Sequence, residues 1–351
     1  MGIFDSIWRL VTYDLGIDLG TANTMVYMRN HGVVVSEPSV VAIDKRTKIV
    51  LAVGKEARQM IGRTPANIVA VKPLHDGVIS DFDTTQAMIS HFIQRAHQYY
   101  NKSFKIPRPR VIVGVPSSVT EVERQAVIDA VKTAGAREVF VVEESMAGAI
   151  GAGLPVEDAS GSMIIDIGGG TTDIAVFSLG DIVVDKTLKT AGDEMDEEII
   201  NYVRNKYNIL IGERSAEDIK ILMGSAMPMK KEKKQGIQGR DLLTGLPKTV
   251  ELSSIEIREA IMNTIGIITE AVKDAIEETP PELLKDLLTS GVYLAGGGAL
   301  IRGLDSYFSE ELNIPVKIVD DPLSAAARGT AQMLDHIELL ERIQKSWDEL
   351  V

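Results

Sequence analysis

Asp166-Ile167-Gly168-Gly169-Gly170-Thr171-Thr172-Asp173 is the stretch whose reading decides the fold. An acid, an apolar residue, glycines and hydroxyls stand between two apolar runs, Met163–Ile165 and Ile174–Phe177. The pattern occurs once more, as Asp18-Leu19-Gly20-Thr21-Ala22-Asn23-Thr24, again leading into an apolar run, Met25–Met28. Each copy predicts two β-strands joined by a hairpin loop with a carboxylate at its mouth. One such loop alone is equally well an ordinary tight turn, where Gly, Asp, Asn and Thr are the expected residues. Two matching copies favour a doubled phosphate grip. Glycine lets backbone N–H groups approach an anion closely, and consecutive N–H groups form an anion-binding concavity. Thr21, Asn23, Thr171 and Thr172 add side-chain donors. Asp18 and Asp166 would repel a phosphate directly. They make sense if Mg²⁺ stands between, held by the carboxylates through water and by phosphate oxygens directly.

Working outward, a third glycine cluster lies at Gly296-Gly297-Gly298-Ala299, after the apolar run Val292–Ala295. It predicts a strand running into glycines and then a helix, a place where a flat ring or a sugar can approach the backbone. No Gly-Lys-Ser/Thr follows and the spacing is not G-x-G-x-x-G, so P-loop and Rossmann readings are set aside. Short strands fill the region from Thr12 to Val53, and a helix begins near Glu56. An amphipathic helix over Asp83–Tyr99 turns Met88, Phe92, Ile93 and Ala96 inward. Val111–Val115 is a buried strand. Thr120 and Glu123 open a helix with a capping box, and Gly135 ends it. A strand over Val139–Val142 leads to a helix from Glu144 to Ala152. The small polar segment 155–162 reads as a crossover, and the pattern restarts at Met163. Ser253 and Glu256 open another capped helix toward Glu278. Pro280-Pro281 breaks it, with a new helix from Glu282, and Pro322 precedes a helix from Leu323 to about His336. Strand–hairpin–strand followed by helices and strands thus occurs twice, which predicts two α/β lobes.

The chain has 351 residues, enough for two domains, with 45% hydrophobic and 25% charged residues. A net charge of −13 argues against a nucleic-acid partner, which needs a basic footprint. The absence of cysteine excludes disulfides and thiolate metal sites. His31, His75, His91, His97 and His336 show no metal-ligand spacing. No segment reads as a transmembrane helix or a cleavable leader, so a cytoplasmic protein is expected. Residues 1–11 stand apart. Ile3, Phe4, Ile7, Trp8 and Val11 share one helical face, which suits a short helix lying in a membrane interface or packed on protein. A basic stretch, Lys230, Lys231, Lys233, Lys234 and Arg240, reads foremost as the solvated rim of a hairpin.

The order of these elements resembles the actin-like ATPase superfamily, and within it the MreB family of bacterial cell-shape actins. The resemblance runs from about Leu15 to about Leu334. It is carried by Gly16–Thr24, Ser36-Glu37-Pro38-Ser39-Val40, Asp76–Asp81, Val113–Pro116, Asp166–Thr172, Ala191–Asp196, Ile211–Arg214 and Gly296–Leu300. It implies an α/β actin-like fold of two duplicated lobes, each with a smaller subdomain, and a nucleotide in the central cleft. Residues 1–11 would be the membrane-binding helix and 12–155 lobe I, with subdomains 12–36 plus 78–155 and 37–77. Residues 156–337 would be lobe II, with subdomains 156–190 plus 257–337 and 191–256, and 338–351 a C-terminal tail.

The same resemblance implies ATP/ADP and Mg²⁺ as ligands, with the phosphates held by Gly20, Thr21, Ala22, Asn23 and Thr24, by Asp18 only through the metal, and by Gly168, Gly169, Gly170, Thr171 and Thr172. Gly296, Gly297, Gly298 and Ala299 would carry the nucleoside, with Glu217 and Lys220 at ribose and base. Without the resemblance, Glu217 and Lys220 read as a surface ion pair. Asp193 and Asp196 are weaker candidates. Glu144 falls where the family orients the attacking water, with Asp166 and Thr171 assisting and Asp18 and Asp166 holding the metal through water. Ser145 replaces the family's proline and Gly148 its alanine, which loosens the first turn beneath Glu144 and implies slow hydrolysis. The implied function is an ATP-dependent filament that polymerises on the inner face of the cytoplasmic membrane and organises wall elongation with membrane partners. The alternatives are a filament that positions plasmids or organelles, and a non-polymerising ATPase or kinase of the same fold.

Overall fold

The computed structural model describes residues 13–100 and 108–334. The helix expected over 1–11, with Ile3, Phe4, Ile7, Trp8 and Val11, and the tail 338–351 lie outside the described residues. The chain divides into two compact units, residues 1–156 with 323–351, and residues 157–322.

Unit 1 is built on β1 (Leu15–Leu19), β2 (Asn23–Met28), β3 (Gly32–Pro38), β4 (Val41–Asp44), β5 (Val50–Val53), β6 (Ile68–Val71), β7 (Leu74–His75), β8 (Val78–Ile79), β9 (Arg110–Val115) and β10 (Glu138–Glu143). Its main sheet has the order β10-β9-β1-β2-β3. β1 and β2 form the expected hairpin, with Leu19 opposite Thr24, and β1 runs parallel to β9. β1 and β9 are almost wholly buried, so they read as unbroken apolar runs rather than alternating ones. Around the sheet lie α1 (Lys55–Met60), α2 (Phe82–Tyr100), α3 (Glu121–Thr133) and α4 (Glu144–Gly151). On α2, Met88, Phe92, Ile93 and Ala96 are all buried, as their helical spacing predicts. Burying a side chain of the size of Phe92 is worth about 1.5–3 kcal/mol. α3 begins with the expected Thr120/Glu123 capping box.

Unit 2 repeats the plan with β11 (Ser162–Ile167), β12 (Thr172–Ser178), β13 (Asp181–Leu188), β14 (Ile209–Leu210), β15 (Lys234–Asp241), β16 (Pro247–Ser253), β17 (Val292–Ala295) and β18 (Val316–Ile318). Its main sheet, β13-β12-β11-β17-β18, has the same order and strand directions as β3-β2-β1-β9-β10. The duplication seen in the sequence is therefore one of topology. A smaller sheet, β14-β15-β16, holds Lys234 and Arg240 of the basic stretch on its hairpin, with Lys234 ion-paired to Glu251, while Lys230, Lys231 and Lys233 precede β15. The helices are α5 (Gly192–Tyr207), α6 (Glu213–Met223), α7 (Ser254–Glu278), α8 (Pro281–Ser290) and α9 (Leu304–Leu312). α7 buries Ile257, Ile261, Ile265, Ile268 and Val272, each three or four residues from the last.

Three expectations need correction. The last helix, α10 (Ala325–Met333), starts after a short 3₁₀ turn at Pro322–Ser324 and belongs to unit 1, not to a second lobe reaching 337. Its glycines explain the placement, because a Cβ on Gly329 would lie 1.7 Å from the Ala147 carbonyl of α4, so the two backbones touch. The glycines after β17 lead into a 3₁₀ turn at Gly298–Leu300, and a helix begins only at Leu304. α8 starts at Pro281, one residue early, since proline suits the first helical position.

Candidate functional site

In unit 1 the strand register brings Asp18 and Glu144 together. Asp18 on β1 lies opposite Gly114 on β9, and Gly114 lies opposite Val142 on β10. Two residues beyond Val142 the chain becomes α4, and Glu144 lies against the space that a Gly114 side chain would take, with its Cα 3.7 Å from that Cβ position. The carboxyl groups of Asp18 and Glu144 are near enough to influence each other's ionisation. Burial raises Asp18 more than Glu144 lowers it, so its pKa stands at about 6. Two ionised carboxylates this near repel each other, and a shared proton or a cation between them relieves that repulsion. Glu143 occupies the N-cap of α4 without capping it through its side chain. The next residue, Ser145, is fully buried, and its Oγ has no hydrogen-bond partner.

The loop between β1 and β2 is braced from outside. Ser39 Oγ donates to the Gly20 carbonyl at 2.6 Å and shares a 2.8 Å hydrogen bond with Thr24 Oγ1. Ser39 N donates to the Ala22 carbonyl at 3.0 Å, and Gly77 N donates to Thr21 Oγ1 at 3.0 Å. The Thr24 hydroxyl thus serves the loop itself. The Thr21 oxygen is used as an acceptor, which leaves its proton to give. Gly20, Ala22 and Asn23 are half-buried.

In unit 2 the loop between β11 and β12 closes with Gly168 N donating to the Thr171 carbonyl at 2.9 Å. Asp166 and Thr171 are buried, and Gly168 and Gly169 are half-buried beside the buried Gly170. Thr172 Oγ1 donates to the Thr190 carbonyl at 2.8 Å, so this hydroxyl, expected as a donor to phosphate, is committed inside the fold. Gly296 has φ 77°, and a Cβ on it would lie 2.3 Å from Asp166 Oδ1. A Cβ on Gly298 would lie 2.3 Å from Ile167 Cγ2. These two glycines are needed because the end of β11 packs on them, while Gly297 is exposed. The two glycine motifs of this unit are thus neighbours, β11 being parallel to β17 with Asp166 opposite Ala295.

Glu217 and Lys220, expected at ribose and base with a surface ion pair as the competing reading, do not pair with each other. Lys220 Nζ donates to Asp196 Oδ2 at 2.8 Å and to the Gly192 carbonyl at 2.5 Å. Asp196, ranked low on sequence, is the more perturbed group. Its pKa stands at about 6: burial raises it most, Lys220 lowers it, and Glu217 and Asp193 raise it further. Ser39, Gly77 and Gly114 at the loop of unit 1, and Gly192 at the loop of unit 2, are further residues that carried no individual role in the sequence reading. Gly114 did leave a signal, since a glycine inside an apolar strand marks close approach of another chain segment. Ser39 and Gly77 stand in ordinary turn contexts, and only the tertiary contacts reveal them.

A family model described as MreB/Mbl protein matches residues 12–342. The cell shape-determining protein Mbl of Bacillus subtilis is 47% identical over 329 residues, covering 94% of this chain and 98% of that protein. The cell shape-determining protein MreB of Escherichia coli is 50% identical over 330 residues, covering 93% and 94%. Among solved structures, MreB5 of Spiroplasma citri bound to ADP superposes with a TM-score of 0.88 at 41% identity, covering 95% of this chain and 98% of that one. A structure of the same protein bound to AMPPNP matches with the same TM-score. With sequence, fold and coverage in agreement, the chain belongs to the MreB/Mbl family of actin-like cell-shape proteins.

Proposed function

We propose that this protein binds ATP with Mg²⁺, hydrolyses it slowly and forms filaments on the inner face of the cytoplasmic membrane, where it organises wall elongation. The observation that carries the reading is the approach of Glu144 to Asp18, across the Gly114 position, at the mouth of the β1–β2 glycine hairpin. An acid pair that needs a proton or a cation, beside a loop of half-buried backbone, fits a hydrated Mg²⁺ on a phosphate tail. Among the described residues no group of three or more His, Asp or Glu side chains can hold a metal ion by itself. The ion would therefore take most of its ligands from phosphate and water, with Asp18 and Asp166 acting through water. Mg²⁺, when bound, neutralises charge on the phosphates.

The remaining chemistry belongs to the chain. In unit 1, the backbone of Gly20–Asn23 and the Thr21 hydroxyl take phosphate oxygens, and Glu144 accepts a hydrogen bond from the attacking water and aims it. In unit 2, Gly168–Gly170 and Thr171 take phosphate oxygens, Asp166 stands at the loop mouth, and the exposed Gly297 backbone carries the nucleoside. The ADP and AMPPNP bound by MreB5 support a nucleotide here. A titration with Mg-ATP, followed by sedimentation with and without nucleotide, tests the reading. Tight binding and nucleotide-dependent pelleting are expected. Absence of binding would remove the proposal. Binding without polymer under any condition would favour the monomeric ATPase or kinase alternative.

A further inference from the structure

The β11–β12 loop is anchored to the start of α5. Gly192 N donates to the Gly168 carbonyl at 3.2 Å and Asp193 N to the Gly169 carbonyl at 2.7 Å. Ala191 stands at the N-cap of α5 and supplies no side-chain cap. Its first carbonyl, Gly192 O, instead receives the Lys220 ammonium of α6, whose other partner is Asp196, one turn further along α5. Gly192 has no space to spare, because a Cβ there would lie 3.1 Å from the Gly168 carbonyl and 3.3 Å from Lys220 Nζ. We propose that Asp196 is a positioning residue for the nucleotide: it holds Lys220 on the Gly192 carbonyl and thereby fixes the Gly168–Gly170 loop. This rests on the reading of that loop as a phosphate grip.

The chemistry of Asp196 supports the assignment. Its side chain is buried, yet Oδ1 has no hydrogen-bond partner. Its second oxygen, Oδ2, is the one that holds Lys220. Its charged surroundings are Asp193 on its own helix and Glu217 and Lys220 from α6. From α7, which packs on α5, Glu256 and Glu259 reach Lys206, Tyr207 and Tyr202 in the last turns, and Asn263 reaches Glu198. The brace is thus strongest when Asp196 is ionised, and a proton on it frees Lys220.

The test uses the full chain as Asp196→Asn, Lys220→Met and the double variant. Hydrogen exchange of the Gly168–Thr171, Gly192 and Asp193 amides is followed in nucleotide-free protein, and the Kd for Mg-ADP is measured from pH 5 to pH 8. Each single variant is expected to lose protection at these amides and to bind Mg-ADP about tenfold more weakly at pH 8. The double variant is expected to be no weaker than Lys220→Met, because both changes act through one carbonyl. The ratio between Asp196→Asn and wild type is expected to shrink as the pH falls through about 6, where wild-type Asp196 takes up its own proton. Unchanged protection in both single variants, multiplicative losses in the double variant, or a ratio independent of pH would each overturn the proposal. If Asp196→Asn does not fold, Lys220→Met decides it through the exchange readout. Failure of wild type to bind Mg-ADP would remove the nucleotide reading, while the exchange data would still decide whether the brace exists.

Discussion

Replacing Glu144 by alanine removes the carboxylate that meets Asp18 across the Gly114 gap, without touching either glycine loop. Phosphate release is expected to fall by about 10²-fold or more, with the Kd for ATP within a few-fold of the parent. Hydrolysis at the parent rate would remove Glu144 from the mechanism. Its neighbour Ser145 behaves oppositely. Its buried hydroxyl has no partner, so Ser145→Ala is expected to leave stability unchanged or raise it by up to about 1 kcal/mol in thermal melts. A clear loss would mean that the hydroxyl is satisfied in solution. The sequence singled out both residues, but assigned Ser145 only a looser helix start. That its side chain faces a closed interior depends on what packs over α4, and no local pattern encodes this.

At the level of elements, the helix ends were the most legible. Thr120/Glu123 and Ser253/Glu256 form the capping boxes read from their spacing, because these contacts span only four residues. The second box carries an acid-sensitive cluster. Burial pushes the Glu256 carboxyl up, but hydrogen bonds from Lys206, Tyr207 and the Ser253 backbone outweigh it and bring its pKa down to about 2. A carboxylate depressed in the folded state contributes stability that is complete above its unfolded value of 4.5 and lost as the pH falls toward 2. Glu256→Gln is therefore expected to lower stability at pH 7 by about 1–2 kcal/mol, with the gap closing below pH 4.5 in denaturant titrations. The α4–α10 contact is the element the sequence misplaced. Small residues at Gly151 and Gly329 permit backbone contact, but small residues do not name their partner. Gly329→Ala would drive a Cβ into the Ala147 carbonyl, and melts are expected to show a loss of about 3 kcal/mol.

On the scale of the whole molecule, no helix among the described residues is long and apolar enough to cross a membrane. An interfacial helix over residues 1–11 would bind weakly by itself, and a polymer would multiply it. Co-sedimentation with anionic liposomes is thus expected only under conditions that also pellet filaments, and deletion of residues 1–11 is expected to abolish it while sparing the filaments. Filaments that ignore liposomes would refute the membrane part of the proposed function.

The sequence by itself determined the duplicated α/β plan, the two acid–glycine hairpins and the family. Each of these rests on local patterning: apolar runs of strand length, turn residues between them, and caps at fixed spacing. The tertiary structure alone decided which hydroxyls and carboxylates are free for chemistry. Thr24 and Thr172 are spent on Ser39 and Thr190, Lys220 turns to Asp196 rather than Glu217, and Asp18 meets Glu144. All of these contacts join segments that only strand register or helix packing brings together. A side chain's hydrogen-bond commitments are set by those distant neighbours, and its own sequence context does not contain them.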